Sequence, residues 1–237
     1  MVALITGASR GIGFETAKYF ARLSGFEIFA LSRNKAGLGK LATECAGLNK
    51  YSRLHPMVFD LEDFIRQPDS FRKRLPKDII HVDILINNAG LLINKKFDRV
   101  SLKEAEEVFR INFHAPAALI RELMPLMGKK GPSHVINIAS MGGFQGSAKF
   151  PGLAYYSASK ASLACLTECL SEEYKDSNVV FNCLALGSVQ TEMLAQAFPG
   201  YRAPVKPEEM AGFIGNFALT GHKFMRGKII PVSLSTP

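Results

Sequence analysis

The chain has 237 residues, 47% of them hydrophobic and 21% charged, and carries a formal net charge of +8 at pH 7. That composition excludes a disordered or low-complexity chain, and no apolar run reaches the roughly 20 residues of a membrane span. The basic runs Arg72-Lys73-Arg74, Lys95-Lys96 and Lys129-Lys130 are short and lie among acids, which argues against a nucleic-acid surface and leaves a mild bias toward phosphorylated or acidic partners.

Length and composition suit one α/β domain. Cys45, Cys165, Cys169 and Cys183 have no C-x-x-C spacing and read as buried free thiols. The start, Met1-Val2-Ala3-Leu4-Ile5, enters an apolar strand without the pattern of a signal peptide, so a cytoplasmic, reducing setting is expected.

Residues 2–6 predict the first strand. Gly7-Ala8-Ser9-Arg10-Gly11-Ile12-Gly13 follows, and then a helical pattern. Strand, glycine turn and helix aim free backbone N–H groups and a helix amino terminus at a phosphate, although the spacing is G-x-x-x-G-x-G and not G-x-G-x-x-G. A tight turn using glycine for its backbone freedom is the plainer alternative. A second strand, 26–31, ends at Ser32-Arg33-Asn34. An acid near this point would suit the ribose of NAD, whereas Arg33, with Ser32 beside it and Arg10 in the turn, favours the 2′-phosphate of NADP. Arg33 could otherwise be a solvated loop cation.

A helix over about 35–47 and a third strand, 54–59, lead to Asp60-Leu61. Asp60 stands where open α/β sheets bind ligands and is a candidate for adenine contact, or it caps the next turn. Residues 62–80 are charged and irregular, with Pro68 and Pro76 bracketing a short helix. A buried strand, 82–86, runs into Asn87-Asn88-Ala89-Gly90, whose small and amide residues permit a close backbone approach and hydrogen bonds to main chain or ligand.

Ser101-Leu102-Lys103-Glu104 is a capping box opening a helix to about residue 127, with Asn112 inside it. Asn is a poor helix-interior residue, so it is either a satisfied core amide or a functional one. A fifth strand, 134–139, delivers Ser140. A small-residue loop, 141–153, then precedes a helix over 154–174 that carries Tyr156 and Lys160. Four residues apart, the phenol and the ammonium share one helix face, where the cation favours the ionised phenol. A sixth strand, 179–184, leads to Gly187-Ser188-Val189-Gln190-Thr191. Residues 192–206 form a short lid, a helix begins at Pro207, and 228–232 form the last strand. Alternating strands and helices imply a doubly wound parallel sheet of about seven strands with helices on both faces, and the turns after the strands should gather at one edge.

The joint pattern resembles the short-chain dehydrogenase/reductase family. Thr6 to Gly13 is similar to its cofactor turn, Asn87 to Gly90 to its central motif, and Tyr156 to Lys160 to its Y-x-x-x-K, in order from residue 2 to about 232. The resemblance implies a single Rossmann-type domain and an oxidoreductase acting on a small carbonyl or alcohol, with NADP(H) preferred, NAD(H) as the alternative, and no metal. It implies catalytic roles for Asn112, Ser140, Tyr156 and Lys160. Ser140 would bind the substrate oxygen, Tyr156 would transfer the proton, Lys160 would hold the nicotinamide ribose and lower the Tyr pKa, and Asn112 would hold a water. Cofactor contacts would come from Gly7, Ser9, Arg10, Gly11, Ile12, Gly13, Ser32, Arg33, Asp60, Leu61, Asn88, Ala89, Gly90, Tyr156, Lys160, Gly187, Val189 and Thr191. Relatives of this kind form homodimers or homotetramers on the helices 101–127 and 154–174.

The chain departs from the family pattern in four places. The stretch from Ser140 to Tyr156 is longer than usual, which leaves Ser147 as an alternative to Ser140. Tyr155 sits beside Tyr156 but is not four residues before Lys160. Leu186-Gly187 replaces Pro-Gly, which would loosen the nicotinamide loop, and the tail from Val232 to Pro237 differs. The last two keep open a protein of the same fold that binds NADP without turnover, as a sensor or scaffold.

Overall fold

The computed structural model describes residues 1–67 and 71–234. Pro68, expected to bracket a short helix, and the tail residues 235–237 lie outside the described residues. Seven strands form one parallel sheet in the order β3-β2-β1-β4-β5-β6-β7. They are β1 (Val2–Thr6), β2 (Glu27–Ser32), β3 (Arg53–Val58), β4 (Ile84–Asn87), β5 (Ser133–Ser140), β6 (Val179–Leu186) and β7 (Ile229–Val232). The helices are α1 (Gly11–Arg22), α2 (Lys35–Cys45), α3 (Asp63–Arg66), α4 (Leu102–Phe109), α5 (Ala115–Leu123), α6 (Ala154–Glu173), α7 (Glu192–Ala197) and α8 (Pro207–Thr220). Pro56 and Pro231 lie in β3 and β7. These are the two edge strands, where a missing ladder donor is tolerated.

The central strands are apolar throughout because both faces are covered. In β1, Ala3 and Ile5 join the layer of Phe14, Phe20, Met210 and Ile214 from α1 and α8. Val2 and Leu4 join Leu119, Ile120 and Leu123 of α5 on the other face. Each such Leu, Ile or Phe removed from water contributes about 1.5–3 kcal/mol. Helices α1 and α8 meet closely at Gly215, where a Cβ would lie 2.2 Å from the Tyr19 ring.

The helix expected over 101–127 begins at the capping box of Ser101 and Glu104, but it is not uniform. A π turn over Arg110–His114 separates α4 from α5, and Asn112 sits in its middle. The amide's own hydrogen bonds, described below, account for that interruption. One expectation is corrected. Cys45 and Cys183 are buried, but Cys165 and Cys169 are exposed, one turn apart on the outer face of α6, which packs on the sheet with Leu163, Thr167 and Ser171 instead. Leu186 remains in β6 opposite Val232, and the Gly187 N–H donates to the Val232 carbonyl at 2.9 Å. Among the described residues no helix is long and apolar enough to cross a membrane.

Candidate active site

The order reverses between β1 and β4, and a cavity of about 490 Å³ opens over the carboxyl ends of the strands there. One end is built from backbone. Gly7 and Gly11 adopt φ +70° and +58°, open to glycine at no steric cost. A Cβ on Gly13 would lie 2.4 Å from Asn88 Nδ2 and 2.5 Å from the Gly7 carbonyl. The turn therefore lies flat on the β4 loop. Asn88 Nδ2 donates to the Thr6 carbonyl at 2.9 Å, while Thr6 Oγ1 accepts from the Asn88 and Ala89 N–H groups at 3.1 and 3.0 Å. Arg10 precedes α1 in extended conformation with no side-chain cap, so the first N–H groups of the helix are left for an anion.

Ser9 and Ser32 hydroxyls meet at 2.9 Å and join this turn to the end of β2. Arg33 and Arg10 are exposed and line the same end of the cavity with Asp60 and Leu61. Asp60 Oδ1 accepts from the Glu62 N–H at 3.0 Å, so it caps the turn as well as facing the cavity. A glycine cradle that no side chain can enter, an uncapped helix start and two nearby cations together fit a dinucleotide. Gly7, Ser9, Gly11 and Ile12 would hold its phosphates, and Arg33 a further phosphate on the ribose.

The other end carries side chains. Asn112 is fully buried. Its Nδ2 donates to the Leu91 carbonyl and to Ser159 Oγ, both at 2.9 Å, and its Oδ1 accepts from the Leu91 N–H at 2.7 Å. Ser159 Oγ in turn donates to the Tyr156 carbonyl at 2.7 Å. The amide thus pins the loop after β4 to the first turn of α6. Lys160 is 3% exposed, and its Nζ donates to the Ile138 carbonyl at 2.8 Å. Gly90 makes room for it, since a Cβ there would lie 3.4 Å from both Lys160 Nζ and Asn112 Oδ1.

Burial holds the Lys160 ammonium down to about 8. Burial also raises the Tyr156 phenol above its usual value, and a hydrogen bond with the Ser140 side chain opposes that rise. The Ser140 side chain opposes the rise, while Lys160, expected to lower the phenol, has its own ammonium held down by burial. The Gly142-Gly143 pair brings Ser140 to Tyr156: a Cβ on Gly143 would lie 2.6 Å from the Ala161 nitrogen, and one on Gly142 would lie 2.8 Å from Ser157 Oγ. The loop after β5 can rest on the backbone of α6 only because both are glycine.

Of the residues expected at the site, Gly7, Ser9, Arg10, Gly11, Ile12, Ser32, Arg33, Asp60, Leu61, Asn88, Ala89, Gly90, Ser140, Tyr156, Lys160, Gly187, Val189 and Thr191 line this one cavity. Gly13 and Asn112 stand behind its wall. Ser147 does not line it: its hydroxyl donates to the Met141 and Phe144 carbonyls and accepts from Lys149 Nζ at 2.9 Å. Tyr155 stacks on Phe97 with ring centroids 5.5 Å apart. Residues 192–206 contain α7, capped by Thr191 Oγ1, and are tied down by Gln190 N–H to Val205 and by Asn94 Nδ2 to the Ala197 carbonyl at 2.7 Å. The sequence reading missed Gly37, where a Cβ would lie 2.6 Å from the Ser9 carbonyl, the Gly142-Gly143 pair, and the wall of Met141, Phe150, Leu153, Met193, Leu194 and Phe198. The glycines carried a readable signal in their type. The wall residues follow no fixed spacing.

A family model described as short chain dehydrogenase matches residues 1–202. The chain belongs to the short-chain dehydrogenase family. Among its relatives, dehydrogenase/reductase SDR family member 7B of Mus musculus is 30% identical over 201 residues, covering 83% of this chain and 60% of that protein. The chain thus matches well under two thirds of that relative's length. Among solved members of the family, a protein of Beutenbergia cavernae described as an NAD(P)-dependent gluconate 5-dehydrogenase with bound NADP is 30% identical, with a TM-score of 0.84 over 98% of this chain and 94% of that one. A 3-ketoacyl-(acyl-carrier-protein) reductase of Brucella melitensis complexed with NADH is 25% identical, with a TM-score of 0.83 over 98% and 96%.

Proposed function

We propose that the chain is an NADP(H)-preferring oxidoreductase that interconverts a carbonyl compound and an alcohol. The observation that carries this reading is the convergence of Ser140, Tyr156 and Lys160 on one cavity whose other end is the glycine turn with Arg33. When bound there, a nicotinamide cofactor supplies or takes up the hydride at the substrate carbon. Ser140 Oγ donates a hydrogen bond to the substrate oxygen. Tyr156 Oη gives that oxygen a proton during reduction and takes it back during oxidation. Burial keeps the phenol protonated at neutral pH, and the Ser140 side chain, which opposes the rise, draws it back toward a competent acid. Lys160, with its ammonium held down to about 8, can exchange a proton near neutrality and holds the ribose side of the site. Asn112 positions both Leu91 and α6.

Support for NADP over NAD is the pair of exposed guanidinium groups at the end of β2 and in the turn, in the absence of an acid at Ser32 or Arg33. The alternative of binding without turnover is not favoured, because Ser140, Tyr156 and Lys160 all line the one cavity. A cytoplasmic homo-oligomer is part of the same proposal. Four free thiols support the reducing compartment, and exposed Phe97 and Leu102 beside α4 and α6 support the assembly.

The test follows NADPH absorbance across aldehydes and ketones with purified protein and its Tyr156→Phe variant. Turnover that the variant loses is expected; rates equal to the variant's across the whole panel would overturn the oxidoreductase reading. Titration should give tighter binding of NADPH than NADH, with Arg33→Asp reversing the order. Equal affinities in the unaltered protein would refute the role of Arg33.

A further inference from the structure

The substrate end of the cavity has a character that the catalytic groups do not determine. Met141 follows Ser140 directly, Phe150 and Leu153 lead into α6 just before Tyr156, and Met193, Leu194 and Phe198 come from α7 and its carboxyl end. Leu92 is drawn to the same place, because Asn94 in its loop donates to the Ala197 carbonyl. These side chains are hydrocarbon or thioether. The polar groups among them are the hydroxyls of Ser140 and Ser188, the latter 3.0 Å from Tyr201 Oη, and the Tyr156–Lys160 pair itself.

The cations of the cavity other than Lys160 lie toward the dinucleotide end, as do Asp60 and Glu192. Arg10, Arg33 and Asp60 follow β1, β2 and β3. Glu192 Oε2 lies 3.7 Å from where a Cβ on Gly11 would be. Glu107 of α4 also lines the cavity, but it is an acid and would repel a substrate anion. Lys149 is turned back onto the Phe144 carbonyl at 2.7 Å. Among the described residues, then, the wall around Ser140 and Tyr156 holds no cation that could pair with a carboxylate or phosphate, apart from Lys160, which is buried and bonded to Ile138. A charged substrate group placed there would lose its hydration with no compensating partner.

We propose that the substrate is an uncharged ketone, aldehyde or corresponding alcohol carried on a hydrocarbon body, so that sugars, oxo acids and phosphorylated carbonyls are rejected at this wall. The inference rests on the oxidoreductase reading. It adds that Met141 and Met193 make the wall adaptable, since unbranched thioethers repack around different shapes, and that several hydrocarbon lengths are accepted.

The experiment compares 2-pentanone, 2-hexanone and 2-heptanone with 6-oxoheptanoate, using NADPH. Each added methylene should raise kcat/KM about fourfold, and the oxo acid should fall at least about tenfold below 2-heptanone. Met193→Arg should narrow that gap. In parallel, calorimetry measures binding of the same compounds to Tyr156→Phe protein holding NADP, a readout that needs no turnover. Chain-length-dependent binding without turnover by the unaltered protein would overturn the oxidoreductase reading and sustain the apolar wall. A flat chain-length series, equal or better use of the oxo acid, or no binding of any of these compounds would overturn the wall inference.

Discussion

The two ends of the cavity are built by different means. The dinucleotide end is made of backbone, with Gly7, Gly11 and Gly13 in one turn and Asn88 and Thr6 clamping it. The substrate end is made of side chains from two stretches well apart in the chain, the loop 141–153 with the start of α6, and α7 with Phe198. A backbone site needs particular residue types at fixed spacing, because only glycine fits. An apolar wall needs only volume and hydrophobicity, which many residues supply.

The strongest test of this division is at the junction of the two ends. Tyr156→Phe removes one hydroxyl and should lower kcat/KM by about 10²–10⁴-fold, while the Kd for NADPH stays within about threefold. A joint loss of catalysis and cofactor affinity would show that the ends do not act separately. A second test uses the opposite edge of the sheet. His134 is buried there, with Nδ1 3.1 Å from the Ala218 carbonyl, Nε2 3.0 Å from Asn182 Nδ2, and His222 nearby. Burial, with His222 adding to it, holds His134 down to about 4 from 6.5, against the Ala218 hydrogen bond. The folded state thus binds this proton less readily than the unfolded chain. Stability present above pH 6.5 is lost as pH falls through the window to 4, by about 3 kcal/mol. Denaturant titrations should show that loss, with a shallower acid slope in His134→Gln, and both ends of the cavity should fail together.

Gly13→Ala should raise the Kd for NADPH about 100-fold, because its Cβ would meet Asn88 Nδ2 and the Gly7 carbonyl at 2.4 and 2.5 Å and the turn must lift from the β4 loop. Calorimetry measures this directly. Unchanged affinity would mean that the close approach of the turn does not serve the cofactor.

The fold was legible because buried parallel strands are short apolar runs ended by turn residues, and every strand lies within about two residues of its expected place. The dinucleotide end was legible for the reason already given. Asn112 was visible as an anomaly, an amide in a helix among apolar neighbours, but its partners Leu91 and Ser159 lie 21 and 47 residues away, and nothing local announces the π turn that accommodates them. Exposure of Cys165 and Cys169 was misread because it depends on which face of α6 meets the sheet. That choice is made by Leu163 and Thr167 packing against strands distant in sequence.

The smallest expected effect, that of Ser147, belongs to the longer stretch between Ser140 and Tyr156, where two serines competed for one role. Ser140 lines the cavity with Tyr156 and its side chain opposes the rise of the phenol, whereas Ser147 holds the loop's own carbonyls and receives Lys149. Ser140→Ala should therefore lower kcat/KM about 100-fold, as loss of one donor to the reacting oxygen does. Ser147→Ala should change it less than about threefold and cost about 1 kcal/mol of stability. Steady-state kinetics of the pair, with denaturation midpoints, decides between them. Should Ser147→Ala prove the more damaging to turnover, the loop would have to swing so that its hydroxyl replaces that of Ser140. The Gly142-Gly143 contact with α6 would then have to open, and the substrate end would be a moving part where the dinucleotide end is a fixed one.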